Sequence, residues 1–175
     1  SSLKSASYNG TSAPQIVIVS PIANENIEGV DAADLNNGRL LAYTNAIKDI
    51  CLNENVGFVD CFSPILALIE NSDRKLTING CHLNELGYHH FAKTLYEGII
   101  GKDPPKINQE VRAAVIEKNT QHFYRYRPLN TFYYSGGRRG RYGYLDFLPA
   151  MRNFDLLTYN RDQRIHQLAK GVKTN

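Results

Sequence analysis

Apolar and polar positions fall in blocks along the chain, and each block implies an element. Residues 1–14, rich in Ser, Thr, Ala and Asn, show no periodicity and read as an irregular lead-in. Gln15-Ile-Val-Ile-Val-Ser20 is a continuous β-branched run closed by Pro21, the pattern of a strand buried on both faces of a parallel sheet. From about Asp34 to Asn53 apolar groups recur at Leu40, Tyr43, Ile47, Ile50 and Cys51, a helical spacing that Asn55 interrupts. Val56-Gly-Phe-Val-Asp-Cys61 then reads as a second short buried strand, so strand, helix and strand form one right-handed βαβ unit. Phe62 to Asn71 predicts a short helix with Pro64 in its first turn. Leu83, Leu86, His90, Phe91, Leu95 and Ile99 mark an amphipathic helix that ends near Gly101. Ile107, Val111, Ala114, Val115 and Lys118 mark another, and Phe154, Leu157, Ile165 and Leu168 a last one. Between these two, Pro128 to Pro149 is an irregular stretch rich in Gly, Arg and Tyr.

Only two parallel strands emerge from 175 residues, whereas a stable sheet usually needs three or more. The sheet is therefore expected to be incomplete, and the chain to be the later part of something longer. The length suits one ordinary domain, and 42% hydrophobic with 21% charged residues is a globular composition rather than a disordered or collagen-like one. No apolar run approaches the roughly 20 residues that cross a bilayer, and no secretory apolar region stands at the start. Charge divides the chain. Residues 1–103 hold 7 basic against 12 acidic side chains, net −5, and residues 104–175 hold 13 against 5, net +8, which returns the overall +3. The boundary is placed at Asp103-Pro104-Pro105. Cys51, Cys61 and Cys81 have no CxxC or zinc spacing, lie beside apolar residues and read as small core residues. His89 and His90 are adjacent, so on a helix they point about 100° apart and do not chelate one metal together. No metal and no cofactor is expected.

The segment with the most chemistry is Leu76-Thr-Ile-Asn-Gly-Cys-His-Leu-Asn-Glu-Leu-Gly-Tyr88. It delivers Asn79, Gly80 and His82 on a loop just ahead of a helix, at the edge of a sheet, where the catalytic bases of α/β hydrolases lie. A histidine there takes a proton from a serine hydroxyl when an acceptor holds its other nitrogen. The plainer alternative is a helix-capping loop whose histidine only packs.

This segment resembles the last motif of the SGNH (GDSL-type) esterase family, Asp-x-x-His, often met as D-G-x-H-L-N-x-x-G-Y. Asn79-Gly-Cys-His-Leu-Asn-Glu-Leu-Gly-Tyr88 matches it at Gly80, His82, Leu83, Asn84, Gly87 and Tyr88. Gln15 to Glu25, Tyr43-Thr44 and Val56 to Asp60 look like later parts of the same fold. Glu117-Lys-Asn-Thr-Gln-His-Phe-Tyr-Arg-Tyr-Arg-Pro-Leu-Asn130 is similar to the segment that follows the esterase region in large planctomycete and verrucomicrobial proteins, many of which continue into a haem-binding CxxCH module.

The resemblance implies a Ser-His-Asp hydrolase on a flavodoxin-like parallel sheet, here a partial one, α/β in class. Residues 1–103 would be the C-terminal portion of that domain, and 104–175 a basic, helical, loop-rich extension. It also favours an extracytoplasmic location, periplasmic or secreted. The family's nucleophile lies in a Gly-Asp-Ser motif, and its oxyanion hole on later Gly and Asn loops. This sequence has no Gly-Asp-Ser, no Gly-x-Asn-Asp and no Gly-x-Ser-x-Gly. The chain alone is therefore expected to be inactive, with His82 the base of the complete protein. Asn79 stands where the family usually has Asp, and three arrangements remain open. A backbone carbonyl steers His82 in a Ser-His dyad; or Asp60 supplies the carboxylate, although it reads more simply as a cap for the helix after it; or the complete protein is a weak or inactive member.

The expected substrate is a small-molecule or carbohydrate ester, with deacetylation of a carbohydrate the reaction. The rival reading is a non-catalytic module that binds glycan or another polyanion through its Arg/Tyr-rich extension. There Tyr124, Tyr126, Phe132, Tyr133, Tyr134, Tyr142 and Tyr144 interleave with Arg125, Arg127, Arg138, Arg139 and Arg141. Aromatic platforms with arginines also hold single-stranded nucleic acid, but no RNP-like, KH or OB pattern accompanies them and +3 is a weak electrostatic footprint. Nucleic acid is not the expected partner. Acyl group, alcohol and oligomeric state are not legible.

Overall fold

A computed structural model describes residues 2–127 and 148–171. The Gly/Arg/Tyr-rich stretch, with Phe132, Tyr133, Tyr134, Arg138, Arg139, Arg141, Tyr142 and Tyr144, lies outside the described residues. The chain divides into two compact units, Ser1–Pro105 and Lys106–Asn175.

The first unit is mixed helix and sheet. It contains α1 (Ser2–Ser5), β1 (Val17–Val19), α2 (Ala33–Glu54), β2 (Gly57–Val59), α3 (Phe62–Asn71) and α4 (Glu85–Ile100). β1 and β2 pair in parallel, Val17 opposite Gly57 and Val19 opposite Val59. Helix α2 ends because Asn55 turns left-handed (φ 50°), a conformation asparagine tolerates, and its N–H returns to Cys51 and Leu52. Helix α4 starts on the Asn84 side chain, which accepts from Gly87 N, and stops at Gly101 (φ 70°).

Ala23, Phe62 and Ile65 form the buried core, with Leu40, Leu66, Ile69 and Phe91 packed against them. A Cβ added at Gly98 would sit 2.4 Å from a Val59 methyl, so α4 lies directly on β2. The strands depart from expectation. Val17 and Ile18 are 39% and 37% exposed, and of β2 only Val59 is buried. A β-branched run sets the extended conformation, but burial depends on what packs above and below it. Here α2 and α4 pack on β2, and β1 keeps an open face.

The second unit is a helical hairpin of α5 (Gln109–Tyr126) and α6 (Leu148–Ala169). Asn108 fixes the start of α5 by accepting from Glu110 N and Val111 N. The helices run antiparallel, since Glu117 meets Arg161, Lys118 meets Asp162 and Arg125 meets Asp155. Ala114 is the one side chain of this unit buried among the described residues. No helix of the described residues is long and apolar enough to cross a membrane.

Candidate functional site

The loop that carries His82 is built on its neighbours rather than on itself. Thr77 and Leu83 form an isolated antiparallel bridge, Ile78 N donates to His82 O (2.8 Å), and Asn84 N donates to Leu76 O (2.9 Å). These bonds pinch residues 78–82 into a tight turn. Gly80 sits in it at φ +88°, and a Cβ there would come within 2.8 Å of the Glu25 carbonyl oxygen. Both the backbone conformation and the close approach call for glycine.

The turn is anchored by a residue whose role the sequence hid. Glu25 is 5% exposed. Its Oε2 accepts from Thr77 Oγ1 (2.6 Å) and Thr77 N (3.0 Å), and both carboxylate oxygens share Leu76 N at 3.2 Å. Glu25 N in turn donates to Gly80 O (2.9 Å), while Gly80 N donates to Thr77 Oγ1 (3.0 Å). Hydrogen bonds to a charged group contribute about 1.5–3 kcal/mol each, so this cluster outweighs any one exposed ion pair among the described residues. Only an unusual Glu in the apolar-flanked stretch Ile22-Ala23-Asn24-Glu25 could have hinted at it, because its partners lie 51 and 52 residues away. Asn84 fastens the other end of the loop through Nδ2 to Lys75 O (2.7 Å) and Oδ1 to Gly87 N (2.9 Å).

The structure brings Asn79 and His82 together on the exposed side of this loop. Asn79 Oδ1 accepts from His82 N (2.9 Å) and Cys81 N (3.3 Å), an Asx turn. The imidazole Nδ1 lies 3.1 Å from Asn79 Oδ1 and 2.9 Å from Asn79 Nδ2. These contacts correspond to two tautomers. With Oδ1 accepting Nδ1–H, the Nε2 lone pair is free to take a proton. With Nδ2 donating to Nδ1, Nε2 carries the hydrogen and the neutral ring offers no base there.

Asp60 does something else. Its Oδ1 accepts from Phe62 N (2.9 Å) and Ser63 N (3.0 Å), and its Oδ2 from Ser63 Oγ (2.7 Å), so the carboxylate is committed to the start of α3. Burial pushes the Asp60 carboxyl up. Hydrogen bonds from Ser63, Phe62 and Ser20 outweigh that and hold it below the usual carboxylate range. Ser20 Oγ also accepts from Cys61 N (2.8 Å) and Phe62 N (2.9 Å), which ties the carboxyl end of β1 to that of β2. The chain runs on from β1 to Glu25, so the His82 loop is held from the carboxyl-end side of the strands, the side where parallel sheets place ligands.

The cysteines separate. Cys51 and Cys61 are core residues, and burial pushes the Cys61 thiol up to about 11, with the Asp60 charge adding to it. Cys81 is exposed, with Sγ 3.3 Å from His82 Nδ1, which corrects its reading as a core residue. The loop turns it outward, and the neighbouring Leu83 is buried instead. The His89 and His90 rings meet edge to face at 5.8 Å. Among the described residues no group of three or more His, Cys, Asp or Glu side chains is placed to hold a metal.

Cavities border the sheet region among the described residues. One of about 580 Å³, touching Lys4, Ile16, Glu54 and Gly57, opens at the amino ends of the strands and includes no part of the His82 loop. Another, about 220 Å³, is bordered by Asn79, Gly80 and Cys81. Comparison with models of known protein families, with curated proteins and with solved structures finds no match to the chain.

Proposed function

We propose that this chain supplies the histidine side of an SGNH-type serine esterase that hydrolyses carboxylic esters, with deacetylation of a carbohydrate its reaction. The serine and the oxyanion donors lie in polypeptide beyond these 175 residues, and the two-stranded sheet is a portion of a flavodoxin-like one. The observation that supports this reading is the Asn79–His82 pair, on a loop clamped by buried Glu25.

In this reading Asn79 Oδ1 accepts Nδ1–H and so orients the ring. Nε2 takes the serine proton as the oxygen attacks the ester carbonyl, then returns it to the departing alcohol. An amide oxygen orients the imidazole but brings no charge to stabilise imidazolium. In serine proteases the same exchange of acid for amide costs about 10⁴ in turnover. The complete enzyme is accordingly slow, and Asn79→Asp raises its turnover.

The test is covalent labelling of the longer protein by a fluorophosphonate. Labelling that disappears in His82→Ala supports the esterase. Folded longer protein that does not label sinks it, and clear labelling of the 175-residue chain alone overturns the placement of the serine outside these residues.

One observation favours a second reading. Asn79 Nδ2 is the nearer atom to Nδ1, at 2.9 Å, and donation from it leaves no base at Nε2. The fold is then a non-catalytic binding module for glycan or another polyanion.

A further inference from the structure

The cleft of about 220 Å³ beside the His82 loop has two contrasting walls. Ile27, Val30 and Ala33, from the turn before α2 and its first residue, give it an apolar side. Asn24, Asn36 and Asn79 give it an amide side, and no Lys or Arg borders it. Its one carboxylate, Glu25, is already bonded to Leu76 and Thr77. Asn24 Nδ2 is engaged by Gly80 O and Asn79 by the His82 turn. The Asn36 side chain, by contrast, makes no hydrogen bond among the described residues.

These features define a ligand class. A site with no basic side chain does not select a phosphate or a carboxylate. An apolar wall faced by free amide capacity suits a neutral group with a CH face and hydroxyl or carbonyl groups. At about 30 Å³ per water in the liquid, the cleft exchanges about seven waters. That is the scale of one sugar ring with a short acyl substituent.

We propose that this cleft binds a single acylated sugar unit, its CH face and acyl methyl against Ile27, Val30 and Ala33 and a hydroxyl or carbonyl on the Asn36 amide. The acyl half of this assignment rests on the esterase reading, because the cleft borders Asn79, Gly80 and Cys81, the residues of the turn that lead into His82. The sugar half stands without catalysis.

Cys81 makes the test possible on the chain itself. It borders the cleft and is exposed, whereas Cys51 and Cys61 are buried, so it is the fast-reacting thiol. An aromatic disulfide reagent reports on it: the Cys81 thiolate attacks one sulfur, a mixed disulfide forms, and a coloured aromatic thiolate leaves. N-acetylglucosamine is the probe, since its amide survives where an ester would not. Saturating N-acetylglucosamine is expected to abolish the fast phase, glucose to slow it less, and acetate to leave it unchanged. Val30→Trp, at a position 54% exposed, plugs the cleft and removes the protection. Asn36→Leu removes it as well. A fast phase untouched by the sugar, equal protection by acetate, or protection that survives both substitutions overturns the proposal. Protection that persists when the longer protein fails to label with fluorophosphonate overturns the esterase reading and leaves the sugar site standing. The reverse pair of results overturns the sugar site alone.

Discussion

In the first unit Phe62, Ile65, Leu76 and the Glu25 carboxylate are all but sealed from solvent. In the second, Ala114 is the only buried side chain among the described residues, and ion pairs run along the α5–α6 hairpin beside half-buried Phe154, Leu157 and Ile165. A fully buried apolar side chain or a hydrogen bond to a buried carboxylate is worth about 1.5–3 kcal/mol and is little screened by salt. Exposed ion pairs are worth about 0–1 kcal/mol each and fade with ionic strength. Order is therefore concentrated where the His82 loop is held and distributed along the hairpin, which is what a preorganised site requires of its support.

The contrast breaks hardest at the core. Ile65→Ala removes a fully buried side chain and is expected to cost about 2–5 kcal/mol, read as a fall in the urea midpoint of the first unit. A loss below that range would mean that the core is not where its stability resides.

Gly87→Ala comes next. Its Cβ would stand 2.2 Å from Leu76 O and 2.8 Å from a Leu83 methyl, an overpacking expected to cost about 1–3 kcal/mol or more. Because both neighbours belong to the His82 loop, the imidazole resonances of His82 should shift even at low denaturant. Unmoved resonances would show that the loop does not depend on this contact.

Acid gives a smaller, local effect. The Asp60 carboxyl lies lower in the folded chain than in the unfolded one, so its contribution is complete above about pH 4 and is lost as pH falls through the folded value. Asp60→Asn should flatten that part of the stability curve below pH 4, measured by urea unfolding across pH. A curve of unchanged slope would remove Asp60 from the start of α3.

Smallest of all, Lys118→Ala is expected to cost less than about 1 kcal/mol, and less still in high salt. It deletes one partner of the Lys118–Asp162 pair. A larger or salt-independent loss would place a buried interaction in the hairpin and blur the contrast.

What the sequence made legible follows the range of the physics involved. Phe62–Asn71 as a helix, the stop at Gly101 and the Asp60 cap depend on residues within a few positions, and each is found where local rules put it. The pairing of Asn79 with His82 spans three residues and is likewise local. The exposure of Val17 and Ile18, the outward turn of Cys81 and the Glu25 clamp depend on what packs against them from far along the chain. Apolar pattern reports a preference for burial, not the presence of a covering element. The parallel pairing of β1 with β2 was readable from strand–helix–strand order, whereas the long reach of α5 to Tyr126 was not, since its later turns carry few apolar residues on one face.

The central claim is that Asn79 holds His82 as a base, and the tautomer of His82 tests it most directly. Long-range ¹⁵N–¹H correlation spectra of the labelled chain, taken where the imidazole is neutral, distinguish a protonated Nδ1 from a protonated Nε2. The account predicts hydrogen on Nδ1, donated to Asn79 Oδ1, with Nε2 bare. Hydrogen on Nε2, with Asn79 Nδ2 donating to Nδ1, would contradict it.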